Sequence, residues 1–342
     1  MTDAERSASG MAEAEDQRPK AIFLLGPTAA GKTAIAISLA QQWPMEVISV
    51  DSALVYRGLD IGSAKPDMAE RAGVPHHLID IRDPADPYSA ADFVEDAQAL
   101  MTDITARGRV PLLAGGTMLY ARALLGGLSQ LPKADASIRA KIAKMAEAEG
   151  WPAVHEALAK VDPVSAQRLH PNDAQRLQRA LEVCWQTGQP FSSLLAQPSN
   201  ENGGQVGRPG RLSQADYEKF SHHPLIIGLM PQDRTILHEK IAVRFRAMLD
   251  SGFLDEAQRL YDRADLHEGL PAIRCVGYRQ AWQYLQGEIE YHAFVEKSLA
   301  ATRQLAKRQI TWLRSWPGLT TVASDVTLTN EHVHRLVACF LR

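Results

Sequence analysis

Eight residues near the start of the chain, Gly26-Pro27-Thr28-Ala29-Ala30-Gly31-Lys32-Thr33, have the spacing G-x-x-x-x-G-K-[ST]. The two glycines let the backbone curl, so that the N–H groups of Thr28, Ala29, Ala30 and their neighbours face phosphate oxygens. Lys32 adds a point charge, the Thr33 hydroxyl can ligate Mg²⁺, and the helix that follows offers its positive end to an anion. A kinase or NTPase normally adds an acid on a second strand to position the metal. Here the apolar run 110–114 leads into Gly115-Gly116-Thr117 with no acid, and no NKxD-type guanine reader occurs. The acid best placed at a strand end is Asp51.

The elements that must hold these groups read as a parallel α/β sheet. Ala21–Leu25 is a short apolar strand entering the phosphate loop, and 32–42 has helical spacing. Residues 46–50 form a second strand ending at Asp51; 110–114, 225–230 and 319–323 form further ones, with a helix over 118–125. Alternating strands and helices predict ligands at the carboxyl ends of the strands. Between 131 and 220 strand-like runs vanish and helices are expected at 136–149, 152–158 and 173–186. The Gly/Pro/Asn/Ser-rich stretch 198–214 reads as a mobile loop. The expected organisation is a disordered acidic tail (1–19), a P-loop NTPase-like core in two parts (20–130 and 221–342, the second mostly helical) and a helical insertion domain (131–220).

The bulk numbers exclude several classes. With 342 residues, 45% hydrophobic and 23% charged, this is an ordinary soluble composition. No apolar run approaches the ~20 residues of a membrane span. The first 19 residues carry five acids against Arg6 and Arg18, unlike a signal peptide or a mitochondrial presequence, so the expected location is cytoplasmic. That segment supplies the whole formal charge of −3. A nucleic-acid partner must therefore be held by local basic surfaces. The three cysteines, Cys184, Cys275 and Cys339, form no CxxC pair, which argues against zinc and a disulfide framework.

GPTAAGKT at 26–33, SVDSALVYRGLDIGSAKP at 49–66, HHLIDIRDP at 76–84 and LLAGGTMLY at 112–120 resemble the bacterial tRNA dimethylallyltransferases. So do HPNDAQRLQRALEV at 170–183, IRCVGYRQ at 273–280 and ATRQLAKRQITWLR at 301–314. The resemblance spans about residues 20–318. It implies transfer of a dimethylallyl group from its diphosphate to N6 of adenosine 37, beside the anticodon of tRNAs that read codons beginning with U. It also implies that the loop holds prenyl diphosphate rather than ATP, and that the enzyme is monomeric. The stretch 200–214 and the acidic tail depart from the family pattern, and no C-terminal Cys/His zinc module of the eukaryotic kind is present.

The chemistry fits these residues. An exocyclic adenine amine is a poor nucleophile, and a carboxylate that takes its proton eases attack on the allylic carbon. Asp51 is expected as general base, against the plainer reading of a turn aspartate. Lys32, Mg²⁺ on Thr33 and the loop N–H groups offset the charge of the leaving diphosphate. The resemblance places Thr117 at the reaction centre, where otherwise it reads as a helix N-cap; Arg244 is a further candidate for the diphosphate. Adenine 37 must flip out of the anticodon stem-loop to reach Asp51.

Arg303, Lys307 and Arg314 fall within about 40° on a helix at ~100° per residue, a basic stripe beside Ala306, Ile310 and Leu313. Taken alone, that stripe is a solvated face. The resemblance assigns tRNA contact to Asp51, Ser52, Ala53 and Leu54, to Thr117, and to the isolated Arg139. It adds Gln175, Arg176, Leu177, Gln178 and Arg179; then Arg274, Cys275, Val276, Gly277, Tyr278 and Arg279. The last group is Lys307, Arg308, Gln309, Ile310, Thr311, Trp312, Leu313 and Arg314. Cys275 reads as a packing or channel-wall residue. A small-molecule kinase, an adenylate isopentenyltransferase acting on AMP and a non-catalytic RNA-binding protein are the competing readings. The first lacks its acidic metal site, the second leaves the basic segments unused, and the third leaves GKT and Asp51 unexplained.

Overall fold

The computed structural model describes residues 16–127, 131–196 and 212–342. The chain divides into two compact units, Met1–Ala121 with Phe220–Arg342, and Arg122–Lys219. In chain order the first unit starts with β1 (Lys20–Leu25), α1 (Lys32–Gln42), β2 (Met45–Val50), β3 (His76–His77), α2 (Ala90–Ala106) and β4 (Val110–Gly115). Helix α3 (Met118–Gly126) contains the boundary. The second unit follows with α4 (Ala136–Val161), α5 (Pro163–Arg168), α6 (Ala174–Thr187), α7 (Phe191–Ala196) and α8 (Gln214–Lys219). The chain returns through β5 (His223–Met230), α9 (Arg234–Asp250), α10 (Phe253–Tyr261), α11 (Tyr278–Leu285), α12 (Tyr291–Arg314), β6 (Thr320–Ala323) and α13 (Thr329–Leu341).

The sheet has the order β3-β2-β4-β1-β5-β6, and every pairing is parallel. Its strands are near-continuous apolar runs because helices cover both faces. On one face α1 and α13 bury Ile35, Leu39, Val333 and Val337 against Ile22, Val47 and Leu112. Register then fixes the site. Leu25 and Val50 both pair with Gly115, so β1, β2 and β4 end level. Gly26, Asp51 and Gly116 therefore leave the sheet side by side at its carboxyl edge. At about 4.8 Å per strand, Asp51 starts roughly 10 Å from the phosphate loop.

The strands match the expected positions. Strand β3 is two residues long, too short to carry a sequence pattern, and α2 was not anticipated. It begins at a capping box in which Ser89 and Asp92 satisfy each other's backbone N–H groups. In the second unit, Gly150 (φ 82°) breaks α4 into two helices, because the chain there takes a left-handed turn that glycine adopts without strain. The tail is described only from Asp16. There Arg18 pairs with Asp16 and donates to the Phe220 carbonyl at 2.7 Å, so 16–19 are held in place where disorder was expected. Most of the 198–214 stretch lies outside the described residues. Among the described residues no helix is long and apolar enough to cross a membrane.

Candidate functional site

The phosphate loop leaves β1 with Ala29 (φ 62°) and Gly31 (φ 83°) both left-handed, which turns successive N–H groups toward one side. For Ala29 that conformation costs about 1 kcal/mol, tolerable where the surrounding loop dictates it. Lys32 Nζ donates to the Pro27 carbonyl at 2.8 Å. Burial lowers its pKa to about 8; the Asp51 carboxylate pulls it back up and the Arg244 guanidinium pushes it down. Arg244, on α9, is likewise lowered by burial and raised by Asp51. Lys32, Asp51 and Arg244 thus form one interacting cluster around a cavity of about 570 Å³ that all three line. Thr28, Ala29, Thr33, Thr117, Arg274, Cys275, Arg308 and Trp312 line it too.

Asp51 Oδ1 accepts the Ala53 N–H at 2.9 Å, the turn that aspartate makes after a strand, and Oδ2 takes no hydrogen bond from a described residue. The turn therefore holds one oxygen and leaves the other for chemistry. Thr117 Oγ1 accepts the Ser52 N–H at 3.0 Å, and the Thr117 N–H donates to the Val50 carbonyl. Thr117 thereby ties the end of β4 to the segment that carries Asp51. The approach is close enough to require glycine. A Cβ on Gly115 would lie 2.1 Å from the Val50 carbonyl oxygen, and one on Gly116 2.5 Å from Gln309 Nε2.

Gln309, expected among the tRNA contacts, lines the cavity and also has a structural role. It is 8% exposed, and both ends of its amide bond the backbone: Oε1 accepts the Thr28 N–H and Nε2 donates to the Gly116 carbonyl, both at 2.9 Å. It fastens α12 to the phosphate loop and to β4 at once. Ile310 and Leu313 on the same helix are buried, as are Leu177 on α6, Gly277 and Tyr278. Ile310, Leu313 and Leu177 pack their helices, whereas Gly277 and Tyr278 are buried beside the cavity and line it. The Tyr278 hydroxyl donates to Glu256, whose carboxylate, 2% exposed, also accepts the N–H groups of Asp60, Ile61 and Gly62. Glu256 thereby anchors the stretch that follows Asp51. It lies on the face of α10 shared by Phe253, Ala257 and Leu260, so an acid on an apolar stripe was the available signal.

Arg139 and Arg179, expected among the tRNA contacts, share one buried acid. Both guanidiniums pair with Glu182 at 2.8 Å, and Glu182 is fully buried. Burial pushes the Glu182 carboxyl up, but the two arginines and the Asp135 N–H outweigh it and hold the carboxyl below its ordinary value. Both arginine side chains keep part of their surface exposed. Arg176 pairs with its own helix cap, Asp173, and stays exposed, as does Gln175, while Gln178 is half-buried. On α12, Arg303, Lys307, Arg308, Thr311 and Arg314 are exposed, and the four cations have no acidic partner among the described residues. Arg274 and Arg279 are exposed beside half-buried Cys275 and Val276. Burial and the charge of Asp51 push the Cys275 thiol up to about 12, so it stays neutral as a wall of the cavity.

A family model described as IPP transferase matches residues 54–316. A tRNA dimethylallyltransferase of Ralstonia nicotianae is 58% identical over 307 residues, 90% of this chain and 92% of that one. Its counterpart from Burkholderia vietnamiensis is 56% identical over 301 residues, covering 88% and 89%. Among solved structures, the tRNA isopentenylpyrophosphate transferase of Bacillus halodurans has a TM-score of 0.65 at 34% identity, covering 94% of this chain and 96% of that one. A eukaryotic dimethylallyltransferase acting on tRNA has a TM-score of 0.71 at 26% identity, covering 94% and 78%.

Proposed function

The chain belongs to the IPP transferase family, and from that premise we propose that it transfers a dimethylallyl group from dimethylallyl diphosphate to N6 of adenosine 37 in the anticodon stem-loop of tRNA. The observation that carries the reading is the single cavity in which one carboxylate, Asp51, faces two partly desolvated cations, Lys32 and Arg244. The cations and the loop N–H groups suit a diphosphate that leaves, and the carboxylate suits an amine that must lose a proton. As the C–N bond forms, the allylic C–O bond breaks, the diphosphate departs into the loop and the N6 proton passes to Asp51. Thr117 holds the Asp51 segment against β4, so the base and the loop keep their spacing.

The residues around the loop fit Mg²⁺. Among the described residues no cluster of three His, Cys, Asp or Glu side chains could hold a metal. The nearby donors are oxygens: the Thr33 hydroxyl, the Asp51 carboxylate and the Ser49 hydroxyl, which has no hydrogen-bond partner among the described residues. A sparse oxygen set suits an ion that keeps its waters and takes phosphate oxygens. Thr33 would hold it, and when bound it would supply charge neutralisation for the leaving group.

A flipped adenine needs basic groups around the mouth of the cavity. Lys307, Arg308, Arg314, Arg274 and Arg279 are exposed and suited to that role, with Arg308 and Arg274 lining the cavity itself. Such a reaction belongs in the cytoplasm, with the chain acting as a monomer. The test is incubation with labelled dimethylallyl diphosphate and either bulk tRNA or AMP. Label is expected in tRNA without added ATP. Label only in AMP, or only when ATP is the donor, would overturn the reading.

A further inference from the structure

Ser49 is buried on β2, 4% exposed, and its hydroxyl has no hydrogen-bond partner among the described residues. Burying an unpaired hydroxyl is unfavourable, and alanine would avoid the penalty. Its position is informative. Side chains alternate along a strand, so Val47, Ser49 and Asp51 share one face of β2. Val47 packs against Ile35 and Ala36 of α1, which identifies that face as the one under the helix that begins at the phosphate loop. Ser49 lines the same cavity as Thr33, Ala36 and Asp51, with hydrocarbon from Val47 and Ala114 beside it.

Register sharpens this. Ser49 pairs directly with Ala114, the last side chain of β4 before Gly115-Gly116. Strand β4 adjoins β1, and its end is where a phosphate-loop kinase carries the acid that orders the hydration of its Mg²⁺. This chain has alanine there, and the nearest polar group on that face stands one strand farther away, about 4.8 Å. A serine side chain is too short to make up that distance to a metal on Thr33, but one bridging water would span it.

Resting on the donor reading above, we propose that the Ser49 hydroxyl is a binding residue for the Mg²⁺–diphosphate, hydrogen-bonding a water of the ion's hydration shell in place of the missing acid. The test is isothermal titration of the full chain and of Ser49→Ala with inorganic pyrophosphate, in Mg²⁺ and in EDTA, with thermal melting of both unliganded proteins. Ser49→Ala is expected to bind pyrophosphate about fivefold more weakly in Mg²⁺, the scale of one bridged hydrogen bond. Its affinity in EDTA should be unchanged, and its unliganded Tm equal or higher. Equal affinities of the two proteins in Mg²⁺ would overturn the role of Ser49. So would the same loss in EDTA, or a fall of several degrees in unliganded Tm, because either marks a merely structural hydroxyl. Failure of the wild-type chain to bind pyrophosphate at all would overturn the donor reading, and this inference with it.

Discussion

Two groups of charged residues in this molecule resemble each other in composition and differ in what is left over. Around the cavity, Lys32 and Arg244 meet Asp51, and burial keeps both cations below their ordinary pKa. In the helical unit, Arg139 and Arg179 meet Glu182, with the Asp135 N–H adding a further bond. The second group is closed at its acid: the Glu182 carboxylate is buried and bonded by both arginines and a backbone N–H. The first is open, with one Asp51 oxygen held in a turn and the other without a donor among the described residues. The difference teaches that arginines and acids mark a site only where their mutual demands are not already met. A sequence lists the charges; only packing tells which are spent.

The largest expected effect breaks the closed group. Glu182→Ala should destabilise the protein by about 2–3 kcal/mol in urea unfolding. That is below the usual cost of breaking a buried ion pair, because Arg139 and Arg179 keep partial exposure and rehydrate. An effect under ~0.5 kcal/mol would place the triad with ordinary surface pairs. The same carboxyl sets a pH dependence. Its folded pKa is held below the ordinary 4.5, so its stabilisation is present above that value and is lost as pH falls through the folded pKa. Acid titration followed by circular dichroism should show that loss in the wild type, and a shallower acid slope in Glu182→Gln.

Next in size is the strut of the open group. Gln309→Ala frees the Thr28 N–H and the Gly116 carbonyl, and should cost about 1–2 kcal/mol. Because both groups border the cavity, prenyl transfer should slow while tRNA affinity stays near wild type. Weakened tRNA affinity with unchanged transfer would return Gln309 to RNA contact. Smallest in stability is the exposed pair Arg176→Ala with Lys307→Ala, within ~0.5 kcal/mol. That variant should flatten the salt dependence of tRNA binding, with the log–log slope shallower by about 1.5. An unchanged slope would make these side chains a solvated surface.

Much of the fold was legible because its strands are long, apolar and bounded by Gly-rich turns. Strand β3 was not, since two histidines carry no periodicity; α2, between the motifs at 76–84 and 112–120, was missed although Phe93, Ala97, Met101 and Ile104 recur at helical spacing. The loop and Asp51 could be placed together from strand ends alone, and register explains why that reasoning works. The RNA-contact segments were legible as segments only. Within 307–314, helical position separates exposed Lys307, Arg308 and Arg314 from buried Gln309, Ile310 and Leu313. Gln309 lies on the Ala306–Ile310–Leu313 stripe, so its burial could have been read from spacing. Its two backbone partners, 281 and 193 residues away, could not. Nor could the commitment of Arg139 to Glu182, which depends on how α4 packs on α6.

The open cavity is the centre of this account, and Asp51 is its centre in turn. Single-turnover transfer by Asp51→Ala, at saturating dimethylallyl diphosphate and tRNA, tests it most directly. The expected result is a rate lower by ~10²-fold or more, the scale of a lost general base, with both substrates still bound at near wild-type affinity. Near-normal turnover in that variant would contradict the account.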